Sequence, residues 1–453
     1  MSIAKKRPVF TMLSIVMIGM IIMLSNNSII NMLIPTIVRD LKINLSTAQW
    51  LSTGFILVCG VLVPLSAYLV RRFTYKQLFH CSLVIFIVGS FICGLSTSFS
   101  FLFIGRIIQS IGTGISMPLA LNIITDVFPI SKRGTVMGIY GLGLILAPAV
   151  APSLGGLFIS FLDWHILFLI MGIFEVLVLI GSFVFFKYRN EVIKLKFDTL
   201  GFIYSTLGFG FLLYGISTEN IIILVLSALI LAIFVKHCLN QKDNALLNVN
   251  CFKDFNFSYA LIINIIFTMA MYSGMLLMPM YLQNIRGFSP MNAALLLLPG
   301  SLVMGLLGVF TGRIYDRYGI KYLAIIGSLI MCSVTFMFSH LSMNTSQHHI
   351  MFIYLVRSIG VASVISPIAS AGLVTINRDM FPDANALTNT IKQISGSVGS
   401  SLSVVVMSIA SSHSTINNIN LRSLHGINIA FLFMTFLALI SVILAIFYKK
   451  RIK

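Results

Sequence analysis

The sequence predicts an all-α integral membrane protein of fourteen transmembrane helices grouped as six, two and six, and three observations predict it. Only 9% of the 453 residues are charged and 58% are hydrophobic, whereas an ordinary soluble domain has about 25% charged residues. Six long windows contain no Asp, Glu, Lys or Arg, at 8–38, 77–105, 134–162, 255–285, 322–356 and 393–421. A helix needs roughly 20 apolar residues to cross a hydrocarbon core of about 30 Å. The basic residues fall mainly in short gaps between apolar runs.

Dividing the apolar runs at clusters of turn-forming polar residues gives spans near 11–33, 49–70, 77–96, 101–125, 134–158, 164–186 and 197–216, then 220–237, 257–281, 290–311, 322–340, 350–374, 388–411 and 426–447. The first span reads as a retained helix, because no A-x-A cleavage site follows it and further spans do. With the N-terminus inside, 23 of the 30 Lys and Arg fall in cytoplasmic segments. Only Arg39, Lys42, Arg286 and Arg422 fall outside, and Arg106, Arg357 and Lys392 lie in spans or at their edges. The positive-inside rule requires such a bias, and an even count puts both termini in the cytoplasm of a plasma-membrane protein.

Composition also excludes functions. The net charge of +18 forms no continuous basic stripe, which argues against nucleic-acid binding. There is no G-x-x-x-x-G-K-[ST] loop to cradle a nucleotide. The six cysteines form no C-x-x-C pair and the eight histidines show no metal spacing, so no cofactor or metal is expected. No paired catalytic carboxylates or Ser/His arrangement stands out, which disfavours an enzyme.

The gap Ala67-Tyr-Leu-Val-Arg71-Arg72-Phe-Thr-Tyr-Lys76 aligns with Gly312-Arg-Ile-Tyr-Asp316-Arg317-Tyr-Gly319-Ile-Lys321 at an offset of 245 residues. Each is a tight basic turn between apolar runs. Either such turns simply anchor inside loops, or two six-span halves are duplicated. The second reading divides the chain into an N-terminal bundle at 1–192, two inserted helices with a cytoplasmic linker at 193–256, and a C-terminal bundle at 257–453. Halves of this kind can rock about a central site.

Ionisable groups at membrane depth are costly and mark partners or water-filled cavities. Glu175, in Met171-Gly-Ile-Phe-Glu175-Val-Leu, sits near the midplane of the sixth span. There a carboxyl is suited to taking up and releasing a proton or attracting a cation, or is paired structurally. Arg106 requires a polar partner, and Asn26 and Asn31 of the first span lie in the same half of the membrane. Asp126 reads as a partner of the Lys132-Arg133 turn. Arg357 and Lys392 are the second-half counterparts. The fifth span contains Gly138, Gly141, Gly143, Pro148, Pro152, Gly155 and Gly156, a pattern that permits close helix approach and kinking. It marks a contact between moving halves or a kinked static helix.

Together these residues resemble the QacA/EmrB-like fourteen-span drug:proton antiporters of the major facilitator superfamily. Leu24-Ser-Asn26-Asn-Ser28-Ile-Ile-Asn31-Met-Leu-Ile-Pro35 resembles the family's first-span pattern L-D-x-T-x-x-N-x-A-x-P. Gly312 to Lys321 is similar to the loop motif G-x-L-x-D-R-x-G-R-R, which assigns gating roles to Asp316, Arg317 and Gly319. Gly105-Arg106-x-x-Gln109-x-x-Gly112-x-Gly114 is similar to the fourth-span motif. Ala147-Pro148-x-x-Ala151-Pro152-x-x-Gly155-Gly156 resembles the antiporter motif, and Lys392-Gln393-x-x-Gly396-Ser397-x-Gly399 resembles the R-Q-x-G-G-S-x-G of span 13. The resemblance implies a major facilitator fold in a bilayer. It also implies export of hydrophobic, often cationic small molecules in exchange for protons, by a protein functional as a monomer.

Three departures bear on that expectation. Asn26 occupies the position of the family's first-span carboxylate and cannot titrate. It is either natural, with Glu175 carrying the proton, or a substitution that impairs coupling. Arg71 and Thr74 replace the Asp and Gly of the first loop motif, which implies a half without its usual loop lock. Ala151 stands where Gly is usual. An importer of the same fold and a non-transporting membrane sensor or scaffold are the alternatives. In a background lacking the six native cysteines, Arg72→Cys and Lys321→Cys are expected to react with impermeant maleimide from the side of the membrane that holds both chain ends. Labelling from opposite faces would break the topology.

Overall fold

The computed structural model describes residues 3–129, 132–143, 163–186, 192, 197–218, 220–241, 245–373 and 376–448. Among them there is no β-strand. In chain order the helices are α1 (Ile3–Asp40), α2 (Leu45–Arg72), α3 (Tyr75–Gly94), α4 (Phe99–Ser116), α5 (Leu119–Val127), α6 (132–143), α7 (Trp164–Phe185) and α8 (Thr199–Ser217). They continue with α9 (Ile221–Gln241), α10 (Phe255–Met280), α11 (Pro290–Tyr318), α12 (Ile320–Phe338), α13 (Gln347–Ala371), α14 (Phe381–Ser412) and α15 (Ile419–Phe447). Thirteen helical stretches of the described residues are long and apolar enough to cross a membrane. The fifth expected span is described only as far as residue 143, so Pro148, Pro152, Gly155 and Gly156 lie outside the described residues.

Local chemistry sets the helix ends. Asn44, Asp163, Asp254, Ser289 and Asn418 each cap a helix by accepting a backbone N–H of the first turn, and Thr74 and Gln77 form a reciprocal capping box. His165 hydrogen-bonds the exposed Asp163 carboxyl and holds it below the usual carboxylate range. The expected fourth span is one stretch, Phe99–Val127, interrupted at Met117–Pro118. Pro118 has no N–H to continue the ladder there. Beyond Pro279, α10 ends in a π-helical turn at Tyr281–Ile285.

The chain forms two compact units, one of Met1–Phe128, Val150–Cys251 and Asn377–Thr390, the other of Pro129–Ala149, Phe252–Ile376 and Ile391–Lys453. Their internal packing follows one plan. In the first, α3 packs on α4 and α7, α2 on α4, and α1 on α7; in the second, α12 packs on α13 and α15, α11 on α13, and α10 on α15. Glycine makes the equivalent close approaches. A Cβ on Gly89 would come within 2.7 Å of the Gly105 carbonyl oxygen, and one on Gly327 within 2.8 Å of that of Gly360. The helices α8 and α9 pack on each other, and α8 packs on α2, where Trp50 and Tyr214 stack with ring centroids 5.9 Å apart.

Two polar anchors use the loops that align at the 245-residue offset. In the second unit, Asp316 accepts backbone N–H groups of Gly134 at 2.8 Å and Thr135 at 2.9 Å, plus the Thr135 hydroxyl at 2.8 Å. A carboxylate thus sits on the first turn of α6, where partial positive charge concentrates. Gly134 and Gly138 there lie backbone to backbone against Gly312 and Gly308 of α11. Gly319, at φ +78°, makes the turn that an L side chain would strain. Arg317 is exposed and lies over the Tyr318 ring.

In the first unit, where the usual loop lock is expected to be missing, a different polar anchor stands. Arg71 sits 3.5 Å from Asp383 of α14, with its charge opposite to that of Asp316, and donates to the carbonyls of Ala245 and Leu246. Asp383 also accepts the Asn248 N–H at 2.8 Å. Asp198 accepts the Leu246 N–H at 3.1 Å and faces His237 Nε2 at 2.8 Å. The segment after α9 is therefore clamped by two carboxylates and one guanidinium. Asp383→Asn preserves an acceptor for Asn248 but leaves Arg71 buried without its anion. A loss of about 3 kcal/mol and faster proteolysis within 245–251 are expected, read by thermal unfolding and mass mapping in detergent.

Candidate functional site

Membrane-embedded polar residues of the first unit converge on Arg106. Wholly buried on α4, its guanidinium donates through Nε to the Leu51 carbonyl at 3.2 Å and through Nη1 to Gln109 Oε1 at 3.0 Å. Nη1 also donates to Asn26 Oδ1 of α1, and the guanidinium lies 4.3 Å from the centroid of the Phe55 ring. Gln109 passes the chain on, donating through Nε2 to Ser90 Oγ of α3 at 2.8 Å. The helical spacing of Arg106 and Gln109 puts both on one face, and Gly89 and Gly105 let α3 and α4 close around them. Asn26 thus meets Arg106 as a neutral acceptor.

Glu175 of α7 is different. Its residue is fully buried, and neither carboxyl oxygen has a hydrogen-bond partner. It lies against α1 and α3: a Cβ built on Gly19 would stand 3.4 Å from Glu175 Oε2 and 3.2 Å from the tip of the Phe79 ring. The sequence suggested that Glu175 faces a cavity, but the structure seals its carboxyl among helices of one unit. One turn earlier, Gly172 packs on Ser90, so the carboxyl adjoins the network without joining it.

The remaining sequence candidates separate. Asp126 is half-buried at the end of α5, with the Tyr75 hydroxyl 3.4 Å from its Oδ2. Asn31 lies in α1, but its side chain is not among those described. Arg357 donates Nη2 to the carbonyls of Met271 at 2.8 Å and Ala270 at 3.3 Å, and packs on Gly274. Sequence reasoning missed Asp198, Asp383 and Asn385. Asn385 bridges to Asn122 Oδ1 at 2.8 Å and Thr125 Oγ1 at 3.1 Å. The available signal was a cluster of short polar residues at 383–390, at the start of the expected span 388–411.

Helices of membrane-spanning length in two units of equivalent internal packing, each with charged groups buried within it, define a multi-pass membrane protein. The chain belongs to the Major Facilitator Superfamily, whose pattern it matches over residues 16–400. It is 36% identical to the lincomycin resistance protein LmrB of Bacillus subtilis, over 98% of this chain and 96% of that one. It is 26% identical to the multidrug export protein EmrB of Haemophilus influenzae, over 83% and 76% respectively. In fold it is similar to the proton:xylose symporter XylE, at a TM-score of 0.66 and 13% identity over 96% of both chains. The chain is therefore a membrane transporter of small molecules and not an enzyme.

The Arg106 network predicts that lysine cannot substitute for arginine there, because one ammonium cannot reach Leu51, Asn26 and Gln109 in the fork geometry. Arg106→Lys is expected to cost about 2 kcal/mol, seen as a lowered melting temperature in detergent. Unchanged melting would show the network to be dispensable.

Proposed function

We propose that this protein is a multidrug exporter of the plasma membrane, with both termini cytoplasmic. It expels hydrophobic, often cationic compounds in exchange for protons by alternating access. Likeness to proteins named for lincomycin resistance and multidrug export supports the substrate class, and the basic bias of the loops supports the orientation.

The observation that carries the coupling is Glu175. A carboxyl enclosed by apolar helices without a partner experiences a large difference in cost between its neutral and ionised forms. Any conformational change that admits water or a cationic ligand then changes which form the site holds. That dependence is what proton exchange requires. Asn26 cannot exchange a proton, and Arg106 is occupied by neutral acceptors, so Glu175 is the proton-exchanging residue of this half. Compounds enter a cavity lined by apolar and aromatic side chains, whose ring faces attract cations. Asp316, Arg317 and Gly319, with the Gly- and Pro-rich segment through Pro148, Pro152, Gly155 and Gly156, govern the conformational exchange.

Inside-out vesicles bearing the wild-type chain are expected to release protons when ethidium is added and to accumulate the dye under a proton gradient. Glu175→Gln is expected to abolish both while leaving melting temperature and dye binding close to wild type. Proton-coupled ethidium movement that persists in Glu175→Gln would refute the assignment. Asn26→Asp beside it separates the two origins of Asn26: efflux appearing only in that variant marks Asn26 as a disabling residue.

A further inference from the structure

One face of α1 runs through the interior of the first unit. Met12, Val16, Gly19, Met23, Asn26 and Ile30 follow the three- and four-residue spacing of a helix stripe, and all are buried. Gly19 is the member of that stripe without a side chain. It stands seven residues before Asn26, nearly two turns, so the two share a face. Asn26 meets Arg106, whereas Gly19 meets Glu175 of α7. A Cβ built on Gly19 would stand 3.4 Å from Glu175 Oε2, 3.3 Å from Val178 Cγ1 and 3.2 Å from Phe79 Cζ.

On this side, therefore, the carboxyl is bounded by a ring tip, a methyl group and bare backbone. Phe79 is held in place by Phe186, with ring centroids 6.1 Å apart. Both Glu175 oxygens are without a hydrogen-bond partner. The described titratable groups on α1 and α3, the helices packed on α7, are turned elsewhere. Arg39 and Asp40 close the far end of α1. On α3, the Tyr75 hydroxyl reaches Asp126, and Lys76 and His80 lie against the Phe183 ring, 5.8 Å and 4.3 Å from its centroid. Cys81 is exposed, and Cys93 donates to the Leu102 carbonyl. Arg106 of α4 is held by Leu51, Asn26 and Gln109.

We propose that Gly19 is a positioning residue for proton exchange at Glu175: its missing side chain keeps the carboxyl against apolar groups and bare backbone, with no donor in reach. The inference rests on the reading of Glu175 as the proton-exchanging residue and extends it to the residue that sets the pH of exchange. One bond beyond the Cβ of a serine at this position, a hydroxyl comes within hydrogen-bonding reach of Oε2. Such a donor favours the ionised carboxylate over the acid, because hydrogen bonds to charged groups are the stronger ones.

Proton release on adding ethidium to the purified full-length protein in weakly buffered detergent, followed against pH, reads the proton occupancy of Glu175. Gly19→Ser is expected to move the midpoint of that profile down by about one pH unit. Gly19→Ala adds the same Cβ without a donor. A midpoint moved as far by alanine as by serine, or unmoved by serine, overturns the proposal. Infrared difference spectra between acid and alkaline pH test the wild-type chain directly, with the Glu175 band assigned by its loss in Glu175→Gln. The protonated carboxyl is expected at the high C=O frequency of an acid without hydrogen bonds, and lower in Gly19→Ser. A wild-type band at a hydrogen-bonded frequency overturns the proposal, whether or not the serine variant folds. Proton release lost in Glu175→Gln but unmoved in Gly19→Ser overturns the role of Gly19 alone. Release that persists in Glu175→Gln overturns the reading of Glu175 on which that role rests.

Discussion

Hydrocarbon offers no hydrogen-bond partner, so every polar group within the bilayer must find one in the protein or stand unmet. Most here are met locally: serines and threonines return their hydroxyls to carbonyls three or four residues earlier, as Thr113 does to Gln109 and Thr335 to Met331. Arg106 is met across three helices, by a carbonyl, two amides and an aromatic face. Glu175 is not met by any described hydrogen bond, and a medium that penalises such a group singles out its carboxyl.

Close approach of helices makes the satisfied networks possible. Gly89 against Gly105, and Gly327 against Gly360, bring backbones nearer than any Cβ would allow. With little hydrophobic force between helices in lipid, dispersion and interhelical hydrogen bonds hold them, and both grow at short distance. The same pairs recur in both units, so one packing solution serves twice. The units then diverge in charge: the first encloses both Arg106 and the Glu175 carboxyl, the second Arg357.

The aligned loops show how one position can be filled by opposite charges. Asp316 is stabilised by unpaired N–H groups at a helix start, which favour an anion. Arg71 cannot use such donors. It is instead matched by Asp383 and by carbonyls of the segment after α9. The departure from the family motif is thus compensated by an acid over three hundred residues away in sequence.

The sequence by itself determined the class, because span length, charge depletion and the placement of basic residues follow from bilayer thickness and solvation alone. It also offered Asn26 and Asn31 as partners for Arg106 and marked Glu175 as exceptional, since an ionisable residue in an apolar run is visible without coordinates; the structure chose Asn26. Only the tertiary structure decided that the Glu175 carboxyl is sealed within one unit, that Arg71 answers Asp383, and that the Tyr272 ring packs on Gly396. Each depends on which face of a helix meets which neighbour. In a helix apolar all round, lipid-facing and protein-facing positions carry the same residues, so periodicity gives no direction and packing alone supplies it.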